Sequence, residues 1–393
     1  MAATVLSGST LAAAPASGDD AIAVPDLPPL PVLPQLGLSP LPSLAGVPAD
    51  GLWPTEVDTG NLTDGPFDDI VVANEAGTSV TVLRANPAGG YHPPERIDIG
   101  LLPSNVHIHD MNDDARDDIV VMDAGGNTIS VLLNEGGGTF GKAVRSQTDT
   151  LATAALTIDD FNGDGHEDTA VSHPGGSVAV NFGNGDGTFG PPTSLAGPLG
   201  GIGVTSGDYD NDGDADIASV GAASPTQTIL LNNGDGTFRH TSAPVGIGGI
   251  CNRTADLDGN GTADLISSHV DGRITVLRGH GDGTFAEAAH YPSKSLWASC
   301  FGVGDYDADG DEDLATANMA GFSMSVLHNN GDGTLGEAQV RSAGDWIITC
   351  TAGRINDDAA LDVLCPGGVV PVLVAFDGKG DGSFGPARRI PLG

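Results

Sequence analysis

From about residue 53 onward the chain is built of short apolar runs separated by clusters of Gly, Asn and Asp. One stretch shows the pattern. Leu156-Thr-Ile158 leads into the acidic cluster Asp160–Asp168, Thr169-Ala-Val-Ser172 leaves it, Val178-Ala-Val180 follows a turn, and a Gly-rich segment ends at Phe189. Runs this short, bounded by turn-forming residues, predict β-strands rather than helices. Many are apolar at nearly every position, as strands covered on both faces require.

The acidic clusters recur at a fixed interval. The clearest reads Asp305-Tyr-Asp-Ala-Asp-Gly-Asp-Glu-Asp313. Its positions 1, 3, 5 and 9 (Asp305, Asp307, Asp309, Asp313) carry side-chain oxygens, and Gly310 permits a sharp turn. Carboxylates this close repel one another unless a cation lies between them, and Ca²⁺ takes six to eight oxygens in flexible geometry. An EF-hand would need a Glu at position 12, where this chain has Thr316, and no amphipathic helix flanks the cluster. The pattern therefore predicts a calcium loop between two strands, with a main-chain carbonyl near Asp311 completing the shell.

Further copies place the same residue types at Asp110, Asn112, Asp114 and Asp118; at Asp160, Asn162, Asp164 and Asp168; at Asp208, Asp210, Asp212 and Asp216; and at Asp256, Asp258, Asn260 and Asp264. Two worn copies flank these five. Asn61–Asp69 has Gly65 at position 5, and Arg354–Asp362 has Arg354 at position 1. The starts at 61, 110, 160, 208, 256, 305 and 354 are 48 to 50 residues apart. A second marker runs in phase, a Gly-rich turn closed by an aromatic or Leu: Asn86–Tyr91, Asn134–Phe140, Asn184–Phe189, Asn233–Phe238, Gly279–Phe285, Asn330–Leu335 and Gly378–Phe384. Asn-Gly and Asp-Gly supply the positive φ of such turns. A fixed period of this length with strand-like content predicts a propeller or array, and both markers count seven.

Asp-x-Asn-Gly-Asp-Gly-x-x-Asp before an apolar strand, followed by Asn-Gly-Asp-Gly-Thr-Phe-Gly, resembles the FG-GAP/VCBS repeat, which also builds the integrin α head and several lectin and polysaccharide-active propellers. The resemblance spans roughly residues 53–393. It implies an all-β, seven-bladed β-propeller of four-stranded blades, with calcium loops between the first and second strands. About five Ca²⁺ ions are expected, structural in role. The resemblance says little about the ligand, because one fold hosts many functions.

Composition narrows the partners. Formal net charge is −37, and five Ca²⁺ would cancel about ten of those charges. A nucleic-acid partner is not expected, because phosphate binding needs a basic surface. No membrane span is expected either, since no run of 18 apolar residues exists. Residues 1–17 resemble the latter part of a secretory signal or an Ala-rich leader, without a positive n-region. Residues 18–52 form a Pro-rich arm or linker. These features suggest a secreted or cell-surface protein, which also favours disulfides. Cys350 and Cys365 flank one loop on neighbouring strands. Cys251 and Cys300 each precede a loop by five residues in adjacent blades. Buried free thiols are the alternative for both pairs.

Ligand candidates are residues that break the repeat on the face opposite the loops, where propellers of the resembled family generally bind. Trp53, Trp297 and Trp346 each stand eight residues before a loop start. Aromatic side chains there suit sugar faces or protein anchors, or else the closure seam. His173, His269 and Asn318 occupy a second rim position, five residues past the ninth loop residue. No nucleophile elbow, zinc-protease motif or Cys-x-x-Cys is present, so no catalytic residue is assigned. The expectation is a calcium-stabilised binding module for a glycan or polysaccharide, lectin-like. A polysaccharide lyase or hydrolase, and a protein–protein adhesion module, are the alternatives.

Overall fold

The structure, a computed structural model, describes residues 53–148, 153–368 and 371–393. The expectations for residues 1–17, and for all of the arm at 18–52, lie outside the described residues. The described strands form seven antiparallel four-stranded sheets, each in unbroken chain order. Blade 1 begins with Pro54–Gly60 and blade 7 ends with Arg388–Pro391. Blades and sequence repeats thus coincide, and every blade draws its four strands from one repeat.

The first strand of each blade lines the centre, since successive first strands pack on one another around the ring. The second strands are the most deeply buried. Asp69–Asn74, Asp118–Asp123, Asp168–His173, Asp216–Gly221, Asp264–His269 and Asp313–Asn318 are buried at every residue. Strand side chains alternate between faces, so Ile70 and Val72 pack toward blade 7 while Val71 and Ala73 pack toward blade 2. Each of the seven interblade cores is apolar on both sides, and fully burying one such Val or Ile contributes about 1.5–3 kcal/mol.

Closure uses the same chemistry. Val57, Ile70, Val72 and Leu83 of blade 1 share a core with Ile355, Leu364, Leu373 and Leu392 of blade 7. No tryptophan belongs to that core. One backbone bond and one to a carboxylate latch the joint: Asp68 N donates to Arg354 O at 2.8 Å, and Arg354 N donates to Asp68 Oδ2 at 2.8 Å. Both cysteine pairs are disulfides. Cys251–Cys300 ties the inner strands of blades 5 and 6, and Cys350–Cys365 lies within blade 7.

Candidate metal centres and ligand face

Strand direction places the acidic loops and the Gly-rich turns on one face of the ring. The turns between second and third strands, and the approaches to the first strands, lie on the other.

On the loop face, the ninth residue of each repeat is a buckle. Asp69, Asp118, Asp168, Asp216, Asp264, Asp313 and Asp362 are fully buried. In every blade one carboxylate oxygen accepts the amide of loop position 2, and the other accepts the amide that opens the Gly-rich turn. In blade 4 these are Tyr209 N at 2.8 Å and Asn232 N at 2.7 Å. In the worn blade 7 they are Ile355 N at 3.2 Å and Gly378 N at 2.7 Å. One carboxylate therefore satisfies two amides that no strand ladder reaches. Burial pushes Asp168 and Asp216 up to about 7, and Asp118, Asp264 and Asp362 up to about 6.

Position 1 folds the loop itself. Asp208 accepts the amides of Asp212 and Gly213 at 3.2 and 3.0 Å, and Asp305 accepts those of Asp309 and Gly310 at 3.2 and 3.1 Å. Gly213 and Gly310 stand at φ 94° and 99°, while in blade 2 Ala115 is forced to φ 61° at the same position.

Position 3 is different. Asn112 Oδ1, Asp210 Oδ1, Asp258 Oδ1 and Asp307 Oδ1 are buried with no hydrogen-bond donor. Carboxylate oxygens of Asp208, Asp210 and Asp216 lie within 4.8 Å of one another, as do those of Asp256, Asp258 and Asp264. Orphaned buried oxygens among like charges are costly, and Arg239 beside Asp210 at 3.4 Å and His328 beside Asp307 at 3.6 Å reach only the other oxygen of each carboxylate. The worn loops supply neutral donors instead. Thr63 Oγ1 donates to Asp69 at 2.9 Å, and Asn356 Nδ2 donates to Asp362 at 3.0 Å. The all-oxygen donor set of the five intact loops fits a hard divalent cation, and the two worn loops are built to stand without one.

The opposite face carries the tryptophans. All three are half-buried. Each holds the neighbouring turn through its carbonyl: Glu75 N to Trp53 O at 2.9 Å, Met319 N to Trp297 O at 3.1 Å, and Gly368 N to Trp346 O at 2.6 Å. Gly200 and Gly248 occupy the same place with positive φ, and Trp297 adopts φ 57° there. Exposed apolar side chains gather on this face too: Leu101, Leu102, Leu199, Ile247, Leu296 and Phe322.

The second rim position requires a correction. His173, His269 and Asn318 close the fully buried second strands rather than facing solvent. Asn318 Nδ2 bonds Ser323 Oγ and Ser325 Oγ at 3.2 and 2.7 Å, and the ring of His269 meets Thr275 Oγ1 at 2.9 Å. Burial lowers His269 to about 4. The polar groups of His269 and Asn318 brace the turn between second and third strands, where counting past the loop could not tell an inward from an outward side chain. In the centre of the ring, burial lowers His107 to about 4, while His109 pairs with Glu167 at 3.0 Å.

Seven buckled blades around a central axis define a β-propeller of the repeat type. Residues 110–171, 160–219 and 256–316 match the FG-GAP-like repeat, and with the seven-blade ring the chain is an FG-GAP repeat propeller. Among solved structures it is similar to a lectin of Agrocybe aegerita described as recognising non-reducing terminal N-acetylglucosamine. That likeness has 23% identity, 73% of this chain and 80% of that chain covered, and a TM-score of 0.53. The BP39L lectin of Burkholderia pseudomallei is 11% identical over 86% of this chain and 99% of its own, with a TM-score of 0.64. BBS1N in complex with ARL6DN is 11% identical over 82% and 91%, with a TM-score of 0.57. At these identities the likeness is one of fold. No curated protein matches the sequence.

Proposed function

We propose that this chain is a calcium-stabilised carbohydrate-binding propeller that works outside the cell. The observation that carries the reading is the face opposite the loops. It carries Trp53, Trp297 and Trp346, each partly exposed, at one repeated position, on a chain whose acidic loops lie on the other face. Partly exposed indole rings suit the apolar face of a sugar. Lectins among the neighbours of like fold support the reading.

Calcium serves the scaffold. Asp110, Asn112, Asp114 and Asp118, and their counterparts in blades 3 to 6, would hold one ion per loop, and the ion neutralises carboxylates that otherwise repel. Two disulfides that use all four cysteines favour an oxidising compartment. No helix among the described residues is long and apolar enough to cross a membrane.

The test is a glycan and polysaccharide binding screen in calcium, with product analysis, beside a Trp297→Ala/Trp346→Ala double variant. Binding by the wild type that the still-folded variant loses supports the reading. A new reducing end or unsaturated product would make the chain a lyase or hydrolase instead. One observation favours a second reading, a protein partner: Leu101, Leu199, Ile247 and Leu296, each more than half exposed, are aliphatic and suit a protein surface better than a sugar. Binding to no glycan, with capture of a protein partner that the double variant also loses, would establish that reading.

A further inference from the structure

The sixth loop differs from the other four intact loops by one side chain. His328 directly follows the third strand of blade 6, Ser323–Leu327, one residue before the amide that bonds Asp313. Other blades have Arg84, Leu133, Phe182, Leu231, Arg278 and Asp377 there. The imidazole is turned into the loop. Its Nδ1 lies 3.2 Å from Asp313 Oδ2 and 3.6 Å from Asp307 Oδ2. The backbone of Gly382 in blade 7 hydrogen-bonds the ring from its far side, and a Cβ at that glycine would stand 2.8 Å from Nε2. A ligating histidine is commonly held this way, by a carbonyl on its other nitrogen.

His328 does not do the work that Thr63 and Asn356 do in the worn loops. Its one Nδ1 proton can serve Asp313, yet Asp307 Oδ1 remains buried without a donor. Oxygens of Asp305, Asp307 and Asp309 also remain within 4.8 Å of one another. A cation satisfies all of them at once, and an imidazole nitrogen changes which cation is preferred. Oxygen-only shells suit Ca²⁺ and Mg²⁺, whereas imidazole suits Zn²⁺ and its first-row neighbours.

We propose that the sixth loop is a transition-metal site in which His328 Nδ1 joins Asp307 and Asp313, whose ligand atoms all lie within 4.8 Å of one another, around a Zn²⁺-class ion, while the four all-oxygen loops keep Ca²⁺. The proposal rests on the reading that the intact loops hold cations.

The experiment uses the full chain, stripped with chelator, reloaded with millimolar Ca²⁺ and an excess of Zn²⁺, desalted in Ca²⁺, and analysed for both metals. The wild type should retain one Zn²⁺ beside its Ca²⁺. His328→Ala and His328→Asn, with melting in Ca²⁺ checked, should bind that Zn²⁺ at least about tenfold more weakly. His166→Ala should retain it, because exposed His166 with Asp113 at 2.7 Å is the competing surface pair. With Co²⁺ in place of Zn²⁺, visible absorption bands present in the wild type should be lost in the His328 variants. Zn²⁺ retained equally by His328→Ala, or lost instead with His166→Ala, overturns the proposal. So does a wild type that retains Ca²⁺ alone. A wild type that retains neither metal overturns the proposal together with the cation-loop reading beneath it.

Discussion

Replacing Asp216 by Asn separates the two roles assigned to the ninth loop residue. The carboxylate is fully buried and accepts Tyr209 N at 2.8 Å and Asn232 N at 2.7 Å. An Asn side chain keeps one oxygen and turns an NH₂ toward the other amide, leaving a buried N–H unpaired at a cost of about 1–3 kcal/mol. The surviving bond loses its charge assistance, worth about 1 kcal/mol more. The buckle alone therefore predicts a loss of about 2–4 kcal/mol in chelator, reduced near neutral pH because burial already raises this carboxyl to about 7. In Ca²⁺ the variant should lose more, since a charged ligand goes as well. Asp362→Asn is the internal control. Its loop already contains the Asn356 amide donor at 3.0 Å, so its cost should be the same with and without calcium. The assay is guanidinium unfolding at pH 8, where the carboxyl that burial raises to about 7 is ionised and accepts both amides, followed by tryptophan fluorescence, in Ca²⁺ and in chelator. An Asp216→Asn midpoint equal to wild type in chelator would refute the buckle. Equal calcium dependence for both variants would refute the division into intact and worn loops.

Chelation should lower the melting temperature of the wild type markedly, and an unchanged melt in metal-free protein would sink the calcium reading. The sign of its pH dependence follows from the ninth aspartates. Burial raises Asp118, Asp168, Asp216, Asp264 and Asp362 to about 6–7, so their protonated forms stabilise the metal-free fold, fully below the unfolded value near 4, and that contribution disappears as pH rises through about 7. Calcium should therefore stabilise more at pH 8 than at pH 5, as thermal melts with and without chelator will report. Trp297→Gly should leave the melt unchanged or raise it, since a left-handed backbone costs a non-glycine residue about 1–2 kcal/mol, while glycan binding falls; unaltered binding would move the ligand site elsewhere. Ala115→Gly, by the same logic, should stabilise blade 2 by up to about 1 kcal/mol in thermal unfolding, after the larger chain entropy of glycine is subtracted. Opening the 15-residue Cys350–Cys365 loop by a double Ser substitution should cost about 3 kcal/mol in the same unfolding assay.

The fold was legible because the repeat states it seven times. Loop spacing and Gly-rich turns each count blades independently, and apolar alternation such as Ile70-Val-Val-Ala73 assigns side chains to the two neighbouring cores. The loop positions were legible for the same reason, as a repeated spacing of oxygen-bearing side chains. Depth was not. Counting residues past a loop located His173, His269 and Asn318 at the strand ends, but a polar residue there reads identically whether it meets solvent or braces a turn. Only the serines and threonines on the adjacent strand, Ser323 and Ser325 beside Asn318 and Thr275 beside His269, distinguish the two. The sequence does hold that signal, as hydroxyl residues in otherwise apolar third strands.

The dual role of the ninth aspartate was hidden for a different reason. A metal ligand and a backbone buckle select the same residue, so the intact loops cannot separate them. The worn loops can. Arg354 and Gly65 have removed donors from positions 1 and 5, yet Asp69 and Asp362 persist and keep both amide bonds. A residue kept where the other oxygen-bearing positions are lost serves the backbone, whether or not the loop holds an ion. Position 3 moves the other way: it is Thr63 or Asn356, a direct hydrogen-bond donor to the ninth carboxylate, in the worn loops. In four of the intact ones it is an acceptor with an unpartnered oxygen. Donor and cation are thus alternative answers to one buried carboxylate. The two blades that close the ring use the answer that is present before any ion arrives.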